Sequence, residues 1–202
     1  MDWGKRTIET YDKSAEALAQ YFKDVGARTE DIERGLSLAH ADNGKAKVLE
    51  IGCGDGRDAA EIVQRVAWYE GFDPSKGLIN IAKERLPKAS FIIADALSYE
   101  YPQGIDVIYA FASLLHINKT DLIKVIEKAS QALRTKGILY ISLKEKDTYT
   151  EQVRRDDHGE RMFYYYSVDF IKNATNSLFN CVYVDRQTRG DSEWFTMALQ
   201  KL

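Results

Sequence analysis

Cysteine and histidine are scarce in this chain, and neither sign of charge prevails. Only two cysteines occur in 202 residues, Cys53 and Cys181, which excludes a disulfide framework and leaves no metal-type spacing. The three histidines, His40, His116 and His158, are scattered, so no metal site is expected. A net charge of −3, from 28 basic and 31 acidic side chains, lacks the basic excess that marks nucleic-acid binders. No apolar run approaches a membrane span, and Met1-Asp2-Trp3-Gly4-Lys5 does not read as the start of a signal peptide. Repeats and low-complexity segments are absent too. These absences lead to a cytoplasmic single domain over residues 1–202, with no nucleic-acid, membrane or metal partner.

What is present is an alternation of strands and helices. Tyr11, Ala15, Leu18, Ala19 and Phe22 recur at helical spacing, so the first 45 residues read as a helical cap. From residue 46 the core begins. Strands are expected at Lys47 to Ile51, Ala67 to Phe72, Ala89 to Ala94, Ile105 to Phe111 and Ile138 to Leu143. Helices are expected at Arg57 to Arg65, after Ser75 as N-cap, after Asn118 or Thr120 until Gly137, and over Val168 to Leu178 after Ser167. Lys144 to Glu160 is polar throughout and reads as a long loop. Cys181 to Gln187 and Trp194 to Leu199 read as a closing antiparallel hairpin turning at Gly190. The pattern predicts an α/β fold, a Rossmann-like parallel sheet with helices on both faces.

Between the first strand and its helix lies "VLEIGCGDGRDAAEIV". Ligands of open α/β sheets bind at the carboxyl ends of the strands, so this glycine turn belongs to the expected site. A dinucleotide fingerprint would need a third glycine at position 57, where Arg57 stands; the glycines fall at Gly52, Gly54 and Gly56. Glu50, Asp55 and Asp58 crowd the same turn. Two like charges about 4 Å apart repel by roughly 4 kcal/mol at an effective dielectric of 20, which disfavours a phosphate and favours a ligand bearing cations.

"VLEIGCGDGRDA" resembles the first motif of class I S-adenosylmethionine-dependent methyltransferases. "YEGFDPS", "FIIADAL", "DVIYAFASLLHI" and "LRTKGILYISLKEK" follow in that family's order, and "ERMFYYYS" is similar to a late segment of its tellurite-resistance-like group. The resemblance runs from about Tyr11 onward. It implies a seven-stranded mixed sheet whose last strand is antiparallel, and S-adenosyl-L-methionine as cofactor. It also implies Asp73, with Pro74 beside it, at the ribose hydroxyls, and Asp95, Ala96 and Leu97 at the adenine. The residue types fit that chemistry. A carboxylate accepts from two hydroxyls, Glu50 and the Gly52 carbonyl suit an ammonium, and Arg57 or Tyr11 suits a carboxylate. Phe111 offers a flat apolar wall. Cys53 is a spacer, with no base beside it in sequence to make it a nucleophile.

The acceptor side is less defined. His116 follows the fourth strand, where it serves either as a general base near neutral pKa or only as a backbone hydrogen-bonding group. Ser113, Lys144 and Arg161 are further candidates, the last two suited to an anionic substrate. Tyr164, Tyr165 and Tyr166 form either a packed cluster or, through Tyr165, a substrate contact. No "[D/N]PP[Y/F]" follows the fourth strand and no Pro-Cys pair supports cytosine chemistry, so the expected acceptor is a small polar molecule. The competing readings are a non-catalytic S-adenosylmethionine-binding regulator and an NAD(P)-dependent oxidoreductase. Asp73→Ala is expected to abolish cofactor binding and leave the melting transition intact.

Overall fold

A computed structural model describes residues 2–202. Three N-terminal helices, α1 (Trp3–Lys13), α2 (Ala15–Val25) and α3 (Thr29–Leu38), precede β1 (Lys47–Ile51). Then come α4 (Ala59–Ile62), β2 (Trp68–Asp73), α5 (Lys76–Arg85), β3 (Ser90–Ile93), β4 (Ile105–Phe111) and α6 (Lys119–Ala132). The chain continues with β5 (Leu133–Lys144), β6 (Thr150–Asp156), β7 (Gly159–Tyr165), α7 (Val168–Thr175), β8 (Phe179–Arg189) and β9 (Ser192–Lys201). Seven strands form one sheet in the order β3-β2-β1-β4-β5-β9-β8. The first five are parallel, while β9 runs antiparallel to both β5 and β8. This is the expected mixed α/β sheet with its last strand antiparallel.

Local chemistry sets the element ends. Ser75 caps α5 by accepting from the Leu78 N–H, Asn118 caps α6 through Thr120 and Asp121, and Ser167 caps α7 through Phe170. Strand β4 is apolar on both sides because helices cover both faces. One cluster, around Leu49, Ile108, Ile126 and Phe195, fills the α6–α7 face; the other, around Val48, Tyr109, Tyr140 and Ile32, lies under α3 and α5.

Four expectations change. Helix α3 does not join the cap: Ile32 and Leu36 are buried against the sheet, and the Tyr109 hydroxyl donates to the Ile32 carbonyl at 2.5 Å. The expected Arg57 to Arg65 helix shrinks to the single turn of α4, and the residues after it close in a tighter turn, the Arg65 N–H donating to the Ile62 carbonyl at 2.9 Å. Helix α6 stops at Ala132 rather than near Gly137; the chain becomes extended at Leu133 and bends at Lys136, whose φ is 62°.

The Lys144–Glu160 segment is not a loop. It contains β6, which pairs antiparallel with β7 as a separate two-stranded ribbon. Strand β6 is polar on both faces, so the alternation that reveals most strands is missing from its sequence. Helix α1 holds the ribbon through side chains. Thr7 Oγ1 accepts from the Met162 N–H at 3.0 Å, while Thr10 and Ser14 donate to the Glu160 and His158 carbonyls at 2.8 Å each. Together α1, α2 and this ribbon roof the carboxyl end of the sheet. No helix among the described residues is long and apolar enough to cross a membrane.

Candidate functional site

A cavity of about 890 Å³ opens beneath that roof, at the carboxyl ends of β1, β2, β3, β4 and β5. Its size lies toward the top of the ~300–1,000 Å³ range of small-molecule pockets, enough for two ligands side by side. The glycine turn after β1 forms its floor. Gly52 and Cys53 both donate their N–H groups to the Phe72 carbonyl, at 2.8 and 3.1 Å, which bends the chain sharply at the strand end. Gly52 and Gly54 have φ of 71° and 55°, a conformation that side-chain-bearing residues rarely adopt.

Most of the residues singled out in the sequence line this cavity. Tyr11, Glu50, Gly52, Cys53, Gly54, Arg57, Asp73, Pro74, Asp95, Ala96, Leu97, Phe111, Ser113, His116, Lys144 and Arg161 all do so. Gly56 does not; a Cβ there would press on Ala82 at 3.2 Å and Phe91 at 3.3 Å, so this glycine permits α5 and β3 to close on the turn. Nor does Tyr165, whose buried ring is faced by the ammonium groups of Lys144 and Lys146; its neighbour Tyr164 reaches the cavity instead.

Asp73 ends β2 in the centre of the floor. One carboxylate oxygen accepts from the Gly54 N–H at 3.1 Å and the other from the Ser75 N–H at 2.8 Å. Each oxygen keeps a free lone pair, so the group can still accept two hydroxyls from a ligand. Burial raises its pKa to about 6, against the two amide hydrogen bonds. Asp95 turns its carboxylate on Leu97 N–H, Ser98 N–H and the Ser98 hydroxyl, an Asx-type turn that fixes the loop after β3. Lys128 of α6 clamps the same loop, donating to the carbonyls of Ala96, Leu97 and Tyr99. No local pattern announced that lysine.

The acidic turn is better neutralised than its sequence suggested. Asp58 meets Arg28 at 2.7 Å and Arg57 at 2.5 Å, and Asp55 meets Arg85 at 2.7 Å. Glu50 alone keeps no cation: Tyr69 donates to it at 2.6 Å, and burial, followed by Asp58, pushes its pKa well up. A cationic ligand group therefore has one evident partner, Glu50. Arg57, a candidate for a ligand carboxylate, is committed to Asp58, and its guanidinium also faces Phe22. Arg28 stacks over Phe111 at 5.2 Å and also lines the cavity, a residue that the sequence did not point to.

On the opposite side, His116 ends a 3₁₀ turn (Leu114–His116) after β4. Its Nδ1 lies 2.6 Å from the Met162 carbonyl, which can only accept, so Nδ1 carries the proton. Its Nε2 then accepts from the Tyr11 hydroxyl at 2.8 Å. Burial lowers the His116 pKa to about 4, so the ring is neutral and both its nitrogens are engaged. Of the two roles expected for His116, this is nearer the backbone hydrogen-bonding group than the free base near neutral pKa. The Ser113 hydroxyl likewise donates to the Ile51 carbonyl at 2.7 Å and holds β1 against the β4 exit.

These two groups work in opposite senses with pH. His116 resists charging in the fold but not in the unfolded chain, so its contribution is complete above pH 6.5 and is lost as pH falls toward about 4. Asp73 holds its proton to about pH 6 in the fold, against 3.8 ordinarily, so its contribution is present at low pH and lost as pH rises through that window. His116→Asn is expected to flatten the fall in melting temperature between pH 6.5 and 4. An unchanged slope in a pH series of melts would contradict the buried neutral ring.

Comparison with known proteins agrees with this geometry. Residues 48–137 match the family model described as "Methyltransferase domain". An uncharacterized methyltransferase of Bacillus mycoides (strain KBAB4) is 30% identical over 148 residues, 71% of this chain and 68% of that protein. One from Bacillus thuringiensis (strain Al Hakam) is 30% identical over 151 residues, again 71% and 68%. The magnesium protoporphyrin IX methyltransferase of Synechocystis PCC 6803, solved with bound S-adenosylmethionine, has a TM-score of 0.74 at 13% identity, over 100% of this chain and 98% of that one. The 1,6-didemethyltoxoflavin-N1-methyltransferase of Burkholderia thailandensis, solved with its substrate and S-adenosylhomocysteine, has a TM-score of 0.69 at 17% identity, over 98% and 88%. The chain thus belongs to the methyltransferase-domain family, and its fold is that of the S-adenosylmethionine-dependent class I enzymes.

Proposed function

We propose that this protein, as one methyltransferase domain over residues 1–202, moves a methyl group from S-adenosylmethionine to a small polar acceptor in the cytoplasm. The observation that carries the reading is Asp73: a buried carboxylate beside the glycine turn, anchored by two backbone amides and keeping one lone pair on each oxygen. That donor set fits the cofactor. Asp73 would accept from the ribose hydroxyls, and Asp95, Ala96 and Leu97 would border the adenine. Glu50 and Gly52 would meet the ammonium, and Arg57 or Arg28, lying over Asp58, the carboxylate.

When bound, S-adenosylmethionine supplies an electrophilic methyl whose bond to sulfur breaks with the electron pair left on sulfur. The chain's contribution is to align an acceptor lone pair with that bond and keep water out, which by itself accounts for much of the acceleration of such displacements. Tyr11 and His116, hydrogen-bonded to each other on the cavity wall, shape the acceptor side. The relatives with small substrates, a toxoflavin precursor and a porphyrin, support a small-molecule acceptor. The test is calorimetric titration with S-adenosylmethionine, S-adenosylhomocysteine and NADH. Micromolar binding of the first two and none of the third is expected. Binding of NADH alone would overturn the reading.

A further inference from the structure

The cavity holds charge of both signs, and the sheet order separates them. Glu50, Asp73 and Asp95 stand at or just beyond the ends of β1, β2 and β3, on one side of β4. Lys144 and Arg161 stand on the other side, on β5 and on β7, which is bridged to β5 through Glu145 and Tyr166. The acidic half suits the cationic groups of the proposed cofactor. The basic half is left for the acceptor.

Lys144 is only 7% exposed. No carboxylate among the described residues lies within ion-pair distance of it, and its ammonium has one hydrogen bond, to Ser192 Oγ at 3.2 Å. It rests over the rings of Phe163 at 4.7 Å and Trp194 at 5.4 Å. Arg161, 8% exposed, lies over the same Phe163 ring at 5.6 Å. One of its terminal nitrogens pairs with Asp156, another is 3.4 Å from the Tyr11 hydroxyl, and its buried Nε has no partner. A buried cation without a counterion is costly and is uncommon unless something completes it. At ion-pair distance the two cations meet one carboxylate, Asp156, which is on Arg161, and Lys144 is left without a counterion. A monoanion balances it.

We propose that the acceptor carries a carboxylate on an apolar body, and that Lys144 and Arg161 hold this carboxylate as an anchor. The inference rests on the methyl-transfer reading of the same cavity. Phe163, Tyr164 and Trp194 supply the apolar surface, and the Lys144 ammonium, which lacks a counterion, and the unsatisfied Arg161 Nε are charge-assisted donors suited to a carboxylate. Asp156 and Asp157, also on the cavity wall, disfavour a dianion such as phosphate. The carboxylate is the anchor and not the methylated atom, because an anion held between two cations is a poor nucleophile. Burial, then Arg154, lowers the Lys144 pKa to about 8, consistent with an ammonium awaiting an anion.

The test uses the full chain saturated with S-adenosylhomocysteine at pH 7, titrated with benzoate, hexanoate, their primary amides and inorganic phosphate. At least one acid is expected to bind, with its amide at least tenfold weaker. Lys144→Met and Arg161→Met are each expected to weaken the acid at least tenfold and leave S-adenosylhomocysteine affinity within about twofold. Lys144→Met also removes an unmatched buried charge, so its unliganded melting temperature is expected to rise, which a structural lysine would not produce. The proposal is overturned if no acid binds, if acids and amides bind alike, if phosphate binds tightest, or if Lys144→Met leaves acid binding unchanged. Failure of S-adenosylhomocysteine itself to bind marks failure of the methyl-transfer reading, and this inference falls with it.

Discussion

Asp73→Ala is expected to weaken S-adenosylhomocysteine binding about 100-fold. Two hydroxyl-to-carboxylate hydrogen bonds are lost, each worth roughly 1.5–3 kcal/mol, and about 3 kcal/mol in total corresponds to that factor. The same substitution strips the Gly54 and Ser75 N–H groups of their acceptor. A lost acceptor costs ~1–3 kcal/mol, so below pH 6, where relief of the buried charge no longer offsets it, the melting temperature is expected to fall by several degrees. Calorimetry at 25 °C separates the two effects, because the folded variant still presents every other cavity residue. A second signature isolates the carboxylate. With a pKa of about 6 in the ligand-free fold, Asp73 gains a proton as pH falls through that value and loses acceptor capacity. The parent's affinity should fall below pH 6, and the variant's should not. An affinity within threefold of the parent would remove Asp73 from the site.

The strand-end residues were legible because the physics that marks them is local. Strand β4 is buried on both faces and matches its sequence-predicted ends, and β1 does the same. Once the strand ends are fixed, Asp73 closes β2 and the loops after β1, β3 and β4 contain Gly52, Asp95 and Ser113, and sheet topology brings these positions together. Other partners were illegible because their partnerships are made over long sequence distances. Arg28 reaches Asp58 from the start of α3, Lys128 reaches the Asp95 loop from α6, and Arg161 is placed by a ribbon whose first strand has no apolar face. The ribbon depends on Thr7 and Thr10 of α1 and on Ser14 just after it for its position, and such hydroxyls carry no periodic signal. Electrostatic reasoning from sequence also overcounted. It summed the carboxylates of the glycine turn without the distant Arg28 and Arg85, which together with Arg57 answer two of the three.

The glycine turn makes the strongest structural demand in the site, and Gly52→Ala tests it. A Cβ at Gly52 would lie 2.2 Å from Ser113 Cβ and 2.9 Å from its Oγ. Rotating a side chain cannot relieve a Cβ–Cβ contact, so backbone must move. Yet Gly52 and Cys53 are tied to the Phe72 carbonyl, and Ser113 is tied to Ile51. The φ of 71° adds ~1–2 kcal/mol for any residue with a side chain. A total near 3 kcal/mol is expected, lowering the melting temperature by ~6–12 °C for a chain of this size, with S-adenosylhomocysteine affinity lost beyond detection. Gly54→Ala is the control: its φ is 55°, but the nearest atom to the new Cβ is Leu78 Cδ1 at 4.0 Å, so only the conformational cost remains. Ser113→Gly provides the second arm. Alone it is expected to destabilise, because the hydroxyl to Ile51 is gone. Combined with Gly52→Ala it removes the atom that the alanine strikes, so the double variant should melt well above the sum of the two losses. Strict additivity would show that the turn relaxes away from Ser113. It would also show that the close approach of the β1 and β4 exits does not define the floor of the cavity.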